Sequence, residues 1–149
     1  NVRTISQSQI CTSGLPAIFK RSYREHMKRI AIVEDNPDNL MLAEAILGSL
    51  YEIVSYENGI DALEGLADAN VGLVLLDISL PRMDGVAVLE SMRLDDKLKH
   101  LPVIALTAHA MVGDREKYME KGFDEYFTKP IVDFNALIEM VERMIDTVH

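Results

Sequence analysis

From residue 29 onward, short unbroken apolar runs alternate with longer stretches in which apolar residues recur every three or four positions. A crossover helix buries one stripe, whereas an interior strand of a parallel sheet buries both faces, so this alternation predicts repeated strand–helix units. Five strands are expected, at Ile30 to Glu34, Ile53 to Tyr56, Leu73 to Asp77, Val103 to Thr107 and Glu125 to Thr128. The third and fourth, with "LVLL" and "VIAL" as their cores, are continuously apolar and belong in the centre of the sheet.

The intervening helices carry their own start and stop signals. Asn36 before Pro37 pairs an N-cap with a proline at the first helical position, Asn58 with Asp61 resembles a capping box, and Asp133 precedes the last helix. Gly122 after Lys121 is placed to end the fourth helix. In the last helix Phe134, Leu137, Ile138, Val141 and Ile145 fall on one face, with Glu139, Glu142 and Asp146 opposite. Right-handed crossovers then predict an α/β fold, a three-layer α/β/α sandwich around a five-stranded parallel sheet.

Residues 1 to 27 differ in kind: Ser, Thr, Gln and basic residues predominate without a sustained period, which reads as a flexible N-terminal extension or linker before a domain of residues 28 to 149. Charge divides at the same point. Five basic residues against one acid leave residues 1 to 28 at +4, and the remainder therefore carries −13 of the chain's net −9. So acidic a domain argues against a direct nucleic-acid partner, which would need clustered Lys and Arg. No run approaches the roughly 20 apolar residues of a membrane helix, and the single cysteine, Cys11, cannot form an internal disulfide. A cytoplasmic protein with no membrane contact is the expectation.

In an open α/β sheet, ligands bind beyond the carboxyl ends of the strands. Those ends are polar here. The first strand runs into Glu34 and Asp35, the third ends in Asp77, the fourth in Thr107, and the fifth leads to Lys129 before Pro130. Three clustered carboxylates repel unless a cation keeps them ionised, and an all-oxygen set with room for water and phosphate suits Mg²⁺. Lys129 offers a point charge and Thr107 a hydrogen bond to phosphoryl oxygens. Asp77, at the end of the most buried strand, is the expected nucleophile.

The strings "IVEDN", "LLDISLPRMDG", "ALTAHA" and "FTKP" together resemble the response-regulator receiver family, over residues 28 to 147. That resemblance implies a flavodoxin-like (βα)5 fold with strand order 2-1-3-4-5, lacking catalysis on a separate substrate. It makes Glu34 and Asp35 the acidic metal pair, Asp77 the phosphoacceptor, Thr107 the switch hydroxyl and Lys129 the family's lysine. Ser79 would give its backbone carbonyl to Mg²⁺, Tyr126 would be the switch aromatic, and the Lys129–Pro130 bond would be cis. Ser79 and His109, two residues past Asp77 and Thr107, would modulate the lifetime of the phosphoryl group. The donor would be a histidine kinase or histidine phosphotransfer protein. The output would be a downstream protein partner, or a homodimer, meeting the surface of the fourth helix, fifth strand and fifth helix. Met111, Val112, Tyr118 and Met119 are the apolar groups expected there.

Three rivals share parts of this pattern. A flavin binder of the same architecture needs a first loop that attracts phosphate, whereas "EDNPDN" repels it. A haloacid-dehalogenase-type phosphatase has a second acid two residues past its nucleophile, where this chain has Ser79. A degenerate receiver acting only as an interaction module remains, and intact Asp77 and Lys129 weigh against it.

Overall fold

Four of the five helices among the described residues begin where a side chain supplies an acceptor for the first amides, whereas Gly113 before the fourth offers none. The computed structural model describes residues 2–3, 28–108 and 111–145. Within them, α1 (Pro37–Leu47) starts at Asn36, whose side chain accepts from the amides of Asp38 and Asn39 at 2.9 and 3.2 Å. Asn58 opens α2 (Gly59–Ala69): its Oδ1 accepts from the Asp61 amide, and its Nδ2 donates to Asp61 Oδ2. Asp84 caps α3 (Gly85–Leu94) through the Ala87 amide, and Asp133 caps α5 (Phe134–Ile145) through the Ala136 amide. Gly122 ends α4 (Asp114–Lys121) with φ +112°, a left-handed conformation that favours glycine.

Between the helices run β2 (Arg29–Val33), β3 (Glu52–Tyr56), β4 (Leu73–Asp77), β5 (Val103–Thr107) and β6 (Glu125–Thr128), all parallel, in the order β3-β2-β4-β5-β6. Counted along the five, this is 2-1-3-4-5, the flavodoxin-like order. A sixth strand, β1 (Val2–Arg3), lies antiparallel outside β3, with Val2 opposite Val54 and Arg3 opposite Ile53. The pattern of the first 27 residues signals no strand; β1 is two residues long, too short for a period, and only pairing defines it. The rest of that segment, with Cys11, and also His109 lie outside the described residues.

Alternation along the strands divides the core into two. Ala31, Val33, Val74, Leu76, Val103 and Ala105 face α2, α3 and α4, packing on Leu66, Val88, Leu89 and Met92. Ile30, Ile32, Ile53, Leu73, Leu75, Ile104 and Leu106 face α1 and α5, packing on Leu47, Leu137, Val141 and Ile145. Each fully buried Leu or Ile contributes about 1.5–3 kcal/mol against the entropy of ordering the chain.

Two expected placements change. Phe134, counted on the apolar face of the last helix, is 47% exposed, because it begins the first turn, beyond the area that the sheet covers. Tyr118, expected as an adaptable surface group, is only 7% exposed: its ring meets Phe123 edge-on at 5.9 Å and Tyr126 at 6.3 Å. Met111 and Val112 are exposed as expected, though they precede α4 rather than belong to it.

Candidate functional site

The order β3-β2-β4-β5 brings the carboxyl ends of β2 and β4 side by side, with Val33 paired to Leu76 and Asp77 paired to Leu106. Glu34 lies one residue beyond β2, its amide donating to the Tyr56 carbonyl at 3.0 Å, and Asp77 ends β4. Both are 1% exposed, while Asp35 faces outward. One carboxylate oxygen from each of the three lies within 4.8 Å of the others.

Buried carboxylates are costly unless paired and hydrogen-bonded. Lys129 Nζ reaches both, 3.2 Å from Asp77 Oδ1 and 3.3 Å from Glu34 Oε2. The Ser79 amide donates to Asp77 Oδ1 at 3.0 Å, and Asn39 Nδ2 and the Asn36 amide donate to Glu34 Oε1 at 3.2 and 3.3 Å. Even so, three carboxylates share one ammonium. Glu34 shows the imbalance: burial first, then the charge of Asp77, hold its pKa above the ordinary 4.5, against the opposing pull of Lys129. A hard divalent cation fits this donor set, since it would supply the missing positive charge to oxygens alone.

The loop after Asp77 is shaped by close backbone approach. A Cβ on Gly85 would collide with the Asp77 carbonyl oxygen, so only glycine lets α3 begin against the end of β4. The Gly85 amide donates to the Ile78 carbonyl at 2.9 Å, and Arg82 takes a left-handed φ of +65° at the outer bend. On the other side, the Lys129 amide donates to the Thr107 carbonyl at 2.7 Å, and the Lys129–Pro130 bond is cis.

Thr107 is 2% exposed. By strand alternation its side chain lies on the face of Val103 and Ala105, the face against which half-buried Tyr126 also packs. The structure thus gathers Glu34, Asp35, Asp77, Ser79 and Lys129 at one point, with Thr107 on the next strand, while Tyr126 stands on the strand after that. Asn39 and Gly85 were not among the residues singled out from the sequence. Asn39 reads there as an ordinary first-turn residue; the "DG" of Asp84-Gly85 carries a turn signal, but not the collision that makes the glycine necessary.

Comparison with known proteins follows the same lines. The sequence model of the response regulator receiver domain matches residues 30–142. The polar-differentiation response regulator DivK of Brucella anthropi is 39% identical over 122 residues, covering 81% of this chain and 93% of its own, and that of Brucella ovis is 38% identical over the same span. Among solved structures, the receiver domain of the sensor histidine kinase PA1611 of Pseudomonas aeruginosa superposes with a TM-score of 0.73 at 34% identity, covering 80% of this chain and 98% of that one. Its crystal structure holds a magnesium ion coordinated in the active-site cleft. A putative response regulator from Chloroflexus aurantiacus gives a TM-score of 0.75 at 25% identity, covering 80% and 98%. Among the described residues no helix is long and apolar enough to cross a membrane. Strand order, polar sheet edge and sequence all agree, and this chain belongs to the response-regulator receiver family.

Proposed function

We propose that the chain is a phosphorylated signalling switch whose acceptor is Asp77. The observation that carries this reading is the meeting of Glu34, Asp35 and Asp77 oxygens within 4.8 Å beside Lys129. The donor is a phosphohistidine on a histidine kinase or phosphotransfer protein. A carboxylate oxygen of Asp77 attacks phosphorus as the P–N bond breaks, and the bonding pair stays with the imidazole nitrogen, which takes up a proton.

Glu34, Asp35, Asp77 and the Ser79 carbonyl would hold Mg²⁺, which when bound neutralises charge on the phosphoryl oxygens. Lys129, already between Asp77 and Glu34, can follow the negative charge from the Asp77 carboxylate to the new phosphoryl group. Thr107 turns its hydroxyl toward a phosphoryl oxygen, and Tyr126, on the same sheet face, moves into the space released. Ser79, exposed at the rim, and His109 govern the entry of the hydrolytic water, so dephosphorylation proceeds at the chain's own site.

The altered surface is that of α4, β6 and α5. It carries an open depression of about 450 Å³ lined by Arg115, Tyr126, Thr128, Val132 and Met140 among others, where a downstream protein or a second copy of the chain would dock. The working place of such a phosphorelay member is the cytoplasm.

Intact-mass spectrometry after treatment with acetyl phosphate and Mg²⁺ tests the acceptor. One added phosphoryl group is expected on the wild type, and none on Asp77→Asn or on wild type with excess chelator. Equal labelling of Asp77→Asn would remove Asp77 from the reaction.

A further inference from the structure

A sheet of parallel strands ends in two edges, and the backbone groups facing outward on an edge strand invite pairing with another chain. Here the parallel set ends in β3 and β6. In β3, the Glu52 amide donates to the Lys28 carbonyl and the Tyr56 carbonyl accepts from the Glu34 amide, so even-numbered positions point inward to β2. Alternation directs the N–H and C=O of Ile53 and Ser55 outward. The residue opposite Ile53 is Arg3 of β1. Arg3 of β1 therefore lies in register with the outward groups of Ile53.

We infer that the segment bearing Val2 and Arg3 is a built-in edge strand, which pairs with Ile53 of its own chain and closes the β3 edge against strand addition by another molecule. Charge favours the arrangement, since residues 1 to 28 carry +4 and the remainder −13. Length permits it: the 25 residues between Arg3 and Arg29 can span about 80–90 Å when extended, ample for a return to the same sheet. The opposite edge, β6, lies between α4 and α5 and stays with the proposed output surface. Backbone pairing of this kind is sequence-tolerant, which is how a segment without hydrophobic period can dock.

Amide exchange followed by NMR on the full chain tests the inference with two proline variants. Proline at position 3 removes the amide that faces Ile53, whereas at position 2 the lost amide faces away from the sheet. Arg3→Pro should raise Ile53 exchange about tenfold or more, with Val2→Pro near wild type and the Ala31–Val33 amides unchanged in both. Equal Ile53 exchange in all three proteins would overturn the pairing, as would a uniform rise that includes β2. Protection of Ile53 that increases with protein concentration would assign the strand to a second copy and overturn the intramolecular reading.

Discussion

Glu34 is where the chemistry of the site is most sharply expressed in a single side chain. Its carboxyl is held above the ordinary 4.5, chiefly by burial and next by Asp77. An acid raised in the fold contributes stability that is fully present below its ordinary value and is lost as the pH rises through the folded value. Above that folded value, the metal-free fold therefore bears the cost of an ionised Glu34, which a cation would offset. Protons and the proposed Mg²⁺ would thus compete for the Glu34 carboxylate. Mg²⁺ titrations monitored by tyrosine fluorescence should show affinity falling several-fold as the pH is lowered from neutral toward the raised Glu34 value. Glu34→Gln should bind more weakly overall, with the part of the pH dependence due to Glu34 removed. An unchanged slope in that variant would remove Glu34 from the coupling.

At the scale of elements, Arg93 near the end of α3 joins pieces that the alternation of strands and helices leaves separate. Its guanidinium donates to the carbonyls of Lys99, Leu101 and Gly122 and to Asp124 Oδ2, which also accepts from the Val103 amide. One side chain thereby ties the end of α3 to the entry of β5 and the end of α4. Hydrogen bonds to charged groups contribute about 1.5–3 kcal/mol each when measured singly, but these share one residue and part of their loss is recovered by water. Arg93→Ala should cost about 2–3 kcal/mol in urea unfolding, and Arg93→Lys should recover only a fraction, because an ammonium cannot supply the forked donors. A change below about 0.5 kcal/mol would mean that the bonds are exchanged for water without loss.

Over the whole molecule, the proposed switch requires a signal at Asp77 to cross β5 and emerge on α4, β6 and α5. The sheet places the groups on one side: Thr107 lies on the face against which Tyr126 packs, and the Tyr126 ring lies 6.3 Å from that of Tyr118, which is anchored in the core beside Phe123. A two-state shift needs a differential interaction of a few kcal/mol, the scale of a small charge-assisted hydrogen-bond network. Beryllofluoride with Mg²⁺, a mimic of the acyl phosphate, should move NMR shifts at Thr107, through residues 111 to 128 and into the first turn of α5. Perturbation confined to Glu34, Asp35 and the loop after Asp77 would exclude the Thr107–Tyr126 route.

Much of this is legible in the chain alone. Caps, turns and apolar runs depend on residues a few positions apart, so the five strand–helix units, the Asn36, Asn58 and Asp133 caps and the Gly122 stop follow from local pattern, as does the polarity of the strand ends. What depends on distant partners was not legible in that way. A continuously apolar strand such as "LVLL" does not say which of its residues meet α2 and which meet α5, because both faces are covered. Tyr118 and Phe134 exchanged their expected surroundings once the ring cluster and the reach of the sheet were in place. The need for glycine at position 85 arises from a collision with Asp77, and the meeting of Lys129 with Glu34 and Asp77 arises from strand order. β1 exists only as a partner of β3. Local sequence determines elements because nearest neighbours carry their energy; register, face and site geometry are decided by contacts between residues far apart in the chain, which only the folded sheet brings together.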